Sequence, residues 1–266
     1  MGLGSCARFD VAFAAHEAEA IATRSNLVAS IAQTEAFDLW TFQRLSRPGS
    51  DLRVYIEGDG LAFLSPYQPS PDPTPSTPLA LKLAALDSSP NVIYLARPCQ
   101  YQSRVGQRGC SYFYWTTHRY APEVVAALDR TISAARAKGM TGPITLIGYS
   151  GGGTLATLIA ARRSDVDRVI TVAANLDHAA WTSLDDSTPL FGSLNPPDFA
   201  DMLSRIPQLH MVGDRDRNVP LSVTESYRRA LSVRADVQIV RFPQNDHVCC
   251  WVENWPAILA RWFDRS

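Results

Sequence analysis

Gly148-Tyr149-Ser150-Gly151-Gly152 lies between two apolar runs, Ile144-Thr145-Leu146-Ile147 before it and Thr154-Leu155-Ala156-Thr157-Leu158-Ile159-Ala160 after it. The first run has the length of a buried strand and the second continues as a helix. A Gly-x-Ser-x-Gly pentapeptide in that setting is a nucleophile elbow. Glycine is required where strand and helix nearly touch, because a side chain at either flanking position would collide with the neighbouring backbone. The turn holds its serine at strained dihedrals and aims the hydroxyl at the helix N-terminus, where free N–H groups can bind a developing oxyanion. The pentapeptide therefore predicts Ser150 as the nucleophile of an acyl-transfer reaction.

Outward from the elbow, strand and helix patterns alternate. Strands are predicted at Asn91–Ala96, Ile144–Gly148, Arg168–Ala173, Gln208–Val212 and Val237–Phe242, with helices at Leu79–Leu86, Pro122–Lys138, Thr154–Arg162 and Leu221–Val233. Pro122 suits a first helical turn and Gly139 a helix end. A last helix is expected near Trp255–Phe263, and an alanine-rich one from Phe9 to about Thr23. Phe37–Gln43 and Leu52–Ile56, separated by the turn Arg47-Pro48-Gly49-Ser50-Asp51, read as an antiparallel hairpin. The expected architecture is α/β: a mostly parallel central sheet of about seven strands covered by helices on both faces, in one domain over 1–266. Two irregular stretches interrupt it. Residues 65–78 hold six prolines in fourteen positions and are expected to form an extended surface loop. Residues 176–205, with Trp181, Leu190, Phe191 and Phe199, form a long insertion of the kind that covers a site as a cap.

Bulk properties bound the function. The chain has 266 residues, 46% of them hydrophobic, and a net charge of −1. That charge leaves no electrostatic footprint for nucleic acid or an anionic membrane. No apolar run approaches the roughly 18 residues of a membrane span. Cys99 and Cys110 flank a loop of a length that suits a disulfide in an oxidising compartment, whereas the adjacent Cys249 and Cys250 are not expected to bridge each other. Leu3-Gly4-Ser5-Cys6 has the form of the end of a bacterial lipoprotein signal, and an ordinary flexible start is the other reading. With Cys6 lipidated the remaining cysteines number an even four, which favours a periplasmic, lipid-anchored or secreted location over a cytoplasmic one.

A serine hydroxyl needs an imidazole to take its proton and a carboxylate to orient that imidazole. Both occur just past predicted strands. Gly213-Asp214-Arg215-Asp216-Arg217-Asn218-Val219-Pro220 leaves one, and Pro243-Gln244-Asn245-Asp246-His247 leaves the last. The order is Ser, Asp, His, with Asp214 and Asp216 both available as the acid. His210 within a strand reads as a packed core residue. His16, His118 and His178 read as structural or surface residues, with His178 the most favoured of these to line a pocket.

On these residues the chain resembles the α/β-hydrolases from about Phe37 onward. The family pattern Gly-x-x-Asp-x-x-Val-Pro selects Asp216 over Asp214, and His247 falls in the family's last loop. The resemblance implies an oxyanion hole made by the Gly151 N–H and by an N–H from Glu57-Gly58-Asp59-Gly60, where relatives often carry His-Gly; position by position the second donor is Asp59. The side chains of Glu57 and Asp59 are expected to turn away and pair with Arg97 or Arg104. Tyr149, Gly60, Trp181 and Phe191 are the expected substrate-binding residues. The implied activity is hydrolysis of a carboxylic ester of a small-molecule acyl substrate, with no metal or organic cofactor. Amide or thioester cleavage by the same triad is an alternative, as is a non-catalytic envelope binding protein on this scaffold.

Overall fold

The computed structural model describes residues 10–263. A first helix, α1 (Val11–Arg24), is capped by the Asp10 carboxylate, which accepts from the Ala12 and Phe13 N–H groups. Three strands follow: β1 (Val28–Gln33), β2 (Asp38–Leu45) and β3 (Leu52–Ile56). A small hairpin, β4 (Phe63–Ser65) and β5 (Gln68–Pro69), precedes α2 (Leu79–Leu86) and β6 (Asn91–Leu95). Next come α3 (Gln102–Val105), α4 (Pro122–Ala137), β7 (Ile144–Tyr149), α5 (Gly151–Ala160) and β8 (Val166–Val172). The chain ends with α6 (His178–Thr182), α7 (Ala200–Leu203), β9 (Gln208–Gly213), α8 (Leu221–Ala230), β10 (Val237–Phe242) and α9 (Trp251–Trp262).

The main sheet has eight strands in the order β1-β2-β6-β3-β7-β8-β9-β10, close to the expected seven. From β6 to β10 every neighbouring pair is parallel. Alternate residues divide the core between two layers. Val54, Ile56, Leu95 and Leu146 face α4 and α5, with Val124, Leu128, Leu155 and Leu158 packed on them. Tyr55, Tyr94, Ile147 and Met211 face the other way onto Ala18 and Ala22 of α1, Leu79 and Leu83 of α2, and Trp251 and Trp255 of α9. The two-residue side-chain period of a strand produces this division, and helices on both faces let the central strands be apolar throughout.

The expected hairpin between Phe37–Gln43 and Leu52–Ile56 is not formed. β2 pairs antiparallel with β1 and with β6, while β3 inserts between β6 and β7. The true hairpin partner, Val-Ala-Ser-Ile-Ala-Gln at 28–33, is an edge strand with no fully buried residue, so it carries no buried-strand pattern. β3, buried at four of its five positions, is drawn to the centre of the sheet. The proline-rich stretch also departs from a simple surface loop. It contains part of the β4–β5 hairpin, and Pro73, Thr74 and Pro75 are buried. No helix among the described residues is long and apolar enough to cross a membrane. Cys6 lies outside the described residues.

Candidate active site

The parallel strands all run toward one end of the sheet, and the loops leaving that end meet around Ser150. In the turn from β7 to α5 the Ser150 backbone has φ of 50°, a left-handed value that side chains rarely adopt, and its N–H donates to the Val172 carbonyl. A Cβ added at Gly148 would lie 2.2 Å from the Gly152 carbonyl oxygen, and one at Gly152 would lie 2.2 Å from that of Ile56. These two positions admit only glycine.

His247, in the loop after β10, brings Nε2 to 3.1 Å from Ser150 Oγ and Nδ1 to 2.8 Å from Asp216 Oδ2. The other Asp216 oxygen accepts from the N–H groups of Asn218 and Val219, so the loop after β9 holds the carboxylate rigidly in a buried position. Asp214 points elsewhere and pairs with Arg241. The structure thus brings Ser150, His247 and Asp216 into one hydrogen-bonded chain and leaves Asp214 out. With Asp216 accepting, His247 Nδ1 is the donor and Nε2 is free to accept the serine proton. His210 is packed in the core between Thr171 and Gln208, where burial pushes its pKa down to about 3.

The N–H groups of Gly151 and Asp59 have no hydrogen-bond partner among the described residues. The Asp59 side chain lies against the elbow, because a Cβ at Gly151 would lie 2.1 Å from Asp59 Oδ1. The Asp59 carboxylate is turned to Arg97 and Arg119, and Arg97 also donates to the Arg119 carbonyl. Burial raises the Asp59 pKa, but the Arg119 and Arg97 guanidiniums outweigh it and hold the carboxyl below its ordinary range. Arg97 is thus one of the expected partners, and Arg104 is not: it pairs with Glu19 on the surface. Glu57 meets no arginine. Its carboxylate accepts from the N–H groups of Gly58 and Ala80 and from Tyr94 OH, and burial pushes its pKa up to about 7.

Two residues that hold this turn escaped the sequence reading. Arg119 sits sixty residues from Asp59 and carries no local motif. Gln100 receives the Arg97 N–H on its side-chain oxygen and donates its amide to the Gly58 carbonyl. Gln100 lies inside the loop that the expected Cys99–Cys110 disulfide closes, and Arg97 lies two residues before Cys99. Cys249 and Cys250 depart from expectation. They are joined to each other across a cis peptide bond, with Cα atoms 3.2 Å apart, at the base of the His247 loop.

Ser150 and His247 open into a cavity of about 800 Å³. Tyr149, Gly60 and Trp181 line it as expected residues, and Tyr149 also packs against the His247 ring. Trp181 is fixed there by its indole N–H, which donates to the Asn218 carbonyl at 2.7 Å. Phe191 does not line the cavity. It is 73% exposed with its ring against His118, and its neighbour Leu190 takes the inward position. His178 is buried against Tyr120 behind the wall rather than on it. Leu61, Ala62, Phe63, Pro75 and Leu79 supply apolar lining, and Thr116, Thr117, Arg119, Asn175 and Asn218 supply polar lining.

Comparisons with known proteins agree with this geometry at the level of the fold. The structure is similar to that of Est1E from Butyrivibrio proteoclasticus, with a TM-score of 0.61 and 14% identity over 88% of this chain and 96% of that one. An esterase from Pyrococcus furiosus, Pf2001, gives 0.61 and 13% over 89% and 91%. An acylaminoacyl peptidase from Pyrococcus horikoshii gives 0.60 and 13%, covering 86% of this chain and 38% of that larger one. No curated protein matches the sequence. The model of the dienelactone hydrolase family matches residues 102–250, more than half of the chain and including the elbow, the Asp216 loop and His247. The chain is a member of the dienelactone hydrolase family, within the α/β-hydrolase superfamily.

Proposed function

We propose that this protein is a serine hydrolase that cleaves carboxylic esters through an acyl-serine intermediate. The observation that carries the reading is the hydrogen-bonded chain from Ser150 Oγ through His247 to Asp216 at the wall of a cavity large enough for a small ester. His247 Nε2 takes the Ser150 proton as Oγ attacks the acyl carbonyl. The charge that develops on the carbonyl oxygen is met by the N–H groups of Gly151 and Asp59. Each such donor is worth about 100- to 1,000-fold in turnover. His247 then protonates the leaving alkoxide, and water attacks the acyl-enzyme with His247 again as base. Asp216 keeps the imidazole in the required tautomer and stabilises its charged form.

Holding the Asp59 carboxylate on two arginines matters for this step. An ionised, unpaired side chain beside the oxyanion would oppose it, and the two ion pairs offset that charge while leaving the Asp59 N–H available. Residues 176–205 act as a cap: α6 sets Trp181 and the following turn sets Leu190 over the cavity. The family is named for hydrolysis of a lactone, which is a cyclic ester, and this supports esters over amides as the substrate class. A fluorophosphonate probe is expected to label the wild-type protein and not Ser150→Ala. That variant should lose at least about 10⁴-fold in turnover of short p-nitrophenyl esters. Absence of labelling in folded wild-type protein overturns the serine mechanism, and faster turnover of aminoacyl amides than of esters overturns the ester assignment.

A further inference from the structure

The polar lining of the cavity holds hydrogen-bonding capacity that the described residues do not use. Among the described residues, eight buried side-chain nitrogen and oxygen atoms lack a well-formed hydrogen bond. Five of them belong to three neighbours: Tyr120 OH, both amide atoms of Asn175 and both ring nitrogens of His178. The Tyr120 and His178 rings are 6.1 Å apart, and Asn175 stands in the turn after β8, three residues before His178. Arg119 and Thr154 approach Tyr120, and the Ser193 and Leu194 carbonyls approach His178, without forming aligned bonds. Of the three residues only Asn175 lines the cavity, and it is 2% exposed.

Leaving a buried donor or acceptor unpaired costs about 1–3 kcal/mol, and folded proteins pair nearly all of them. Asn175 leaves both kinds unpaired at the wall of the reaction cavity. Its backbone is not free to turn away, because its carbonyl accepts from Thr154 Oγ1 on the nucleophile helix. Hydrogen-bonding capacity of both kinds is therefore open to a bound group at that wall. The surroundings also define its charge. Burial keeps the His178 ring below its ordinary pKa and raises the Tyr120 phenol to about 12, so both are neutral. Asp177 beside them has its carboxyl held below the ordinary range despite burial, by bonds from Asn195 and Ser226, and its negative charge disfavours an anion. Arg119, the cation in that lining, is already engaged by Asp59 and by the Thr116 carbonyl.

We infer that the ester taken by this cavity carries a neutral hydrogen-bonding group, a hydroxyl or an amide, which Asn175 receives through its side-chain N–H and carbonyl oxygen. The inference rests on the ester-hydrolase reading and names the kind of ester. Matched pairs that differ by one hydroxyl test it: p-nitrophenyl butyrate against p-nitrophenyl 3-hydroxybutyrate for the acyl side, and ethyl against 2-hydroxyethyl butyrate for the alcohol side. The wild-type protein should favour the hydroxylated member of one pair by about 10- to 100-fold in kcat/KM. In Asn175→Leu that preference should fall to about threefold or less. Asn175→Asp, which keeps the shape of the side chain and loses the N–H donor, should reduce it several-fold and carries the test if the leucine variant does not fold. Equal wild-type rates within both pairs overturn the inference. So does a preference that survives both substitutions, or an Asn175→Leu variant that slows both members of a pair by the same factor. Failure of the hydrolase reading looks different, with no turnover of any ester and no fluorophosphonate labelling.

Discussion

The two turns that meet at Ser150 are built by different means. Gly148–Gly152 is held by close approach of backbone to backbone, and its two outer glycines are the positions where any side chain would strike a carbonyl of the same turn or of β3. Glu57–Gly60 is held instead by side chains that arrive from far along the chain: Arg97, Gln100 and Arg119. It also carries two acids with opposite fates. Glu57, buried with neutral donors alone, has its pKa pushed up to about 7, whereas Asp59, with two guanidiniums, is held below the ordinary range. Burial raises the pKa of both, and in Asp59 the two guanidiniums reverse it. A turn made by sterics is set by its own sequence, while a turn made by buried charge depends on every partner.

Removing one of those partners tests the difference most severely. Arg97→Ala leaves Asp59 with a single arginine and the Arg119 carbonyl without its donor, which should cost about 3–5 kcal/mol in chemical denaturation and lower ester turnover with it. Unchanged stability and turnover would show that the turn stands without this pair. Gly151→Ala presses the elbow against the other turn, since the new Cβ meets Asp59 Oδ1 and Arg97 Nη1. We expect kcat to drop by about 100- to 1,000-fold, the effect of one lost oxyanion donor. A kcat within a few-fold of wild type would mean that the two turns do not share the hole.

The mildest test concerns Glu57. Its folded-state pKa of about 7 lies above the ordinary carboxylate value of 4.5, so the folded chain holds the proton more tightly than the unfolded chain between those values. Stability from this group is fully present below pH 4.5, falls as the pH rises toward 7, and stays at the lower level above it. The loss is at most about 3 kcal/mol. Glu57→Gln keeps an acceptor for Gly58 and Ala80 and cannot ionise, so it should abolish that slope and be the more stable protein at pH 8. Denaturation curves at pH 5 and 8 that shift equally for both proteins would show that Glu57 does not titrate in this interval.

Much of the fold was legible because its central strands and helices announce themselves locally. β6, β7, β8, β9 and β10 all lie within a residue or two of their expected positions, and so do α2 and α4. β1 was not legible, because an exposed edge strand has no apolar face to display. The hairpin was misassigned for a related reason: proximity in sequence suggested that β2 pairs with β3, whereas the burial of β3 on both faces sends it between β6 and β7. At the site, Ser150, Asp216 and His247 could be found because each leaves the end of a strand in a required order. Arg119, Gln100 and Asn175 could not, since a lone arginine, glutamine or asparagine in a loop has no periodicity or spacing to mark it.

The sequence by itself determined the elbow, the parallel sheet behind it and the order of the residues that converge on it. These follow from steric limits and apolar periodicity, which act over a few neighbouring residues. Tertiary structure decided that Leu190 and not Phe191 turns inward, and that Arg119 shares Asp59 with Arg97. Those outcomes depend on burial and on charges brought together from distant segments, and neither exists until the chain has folded.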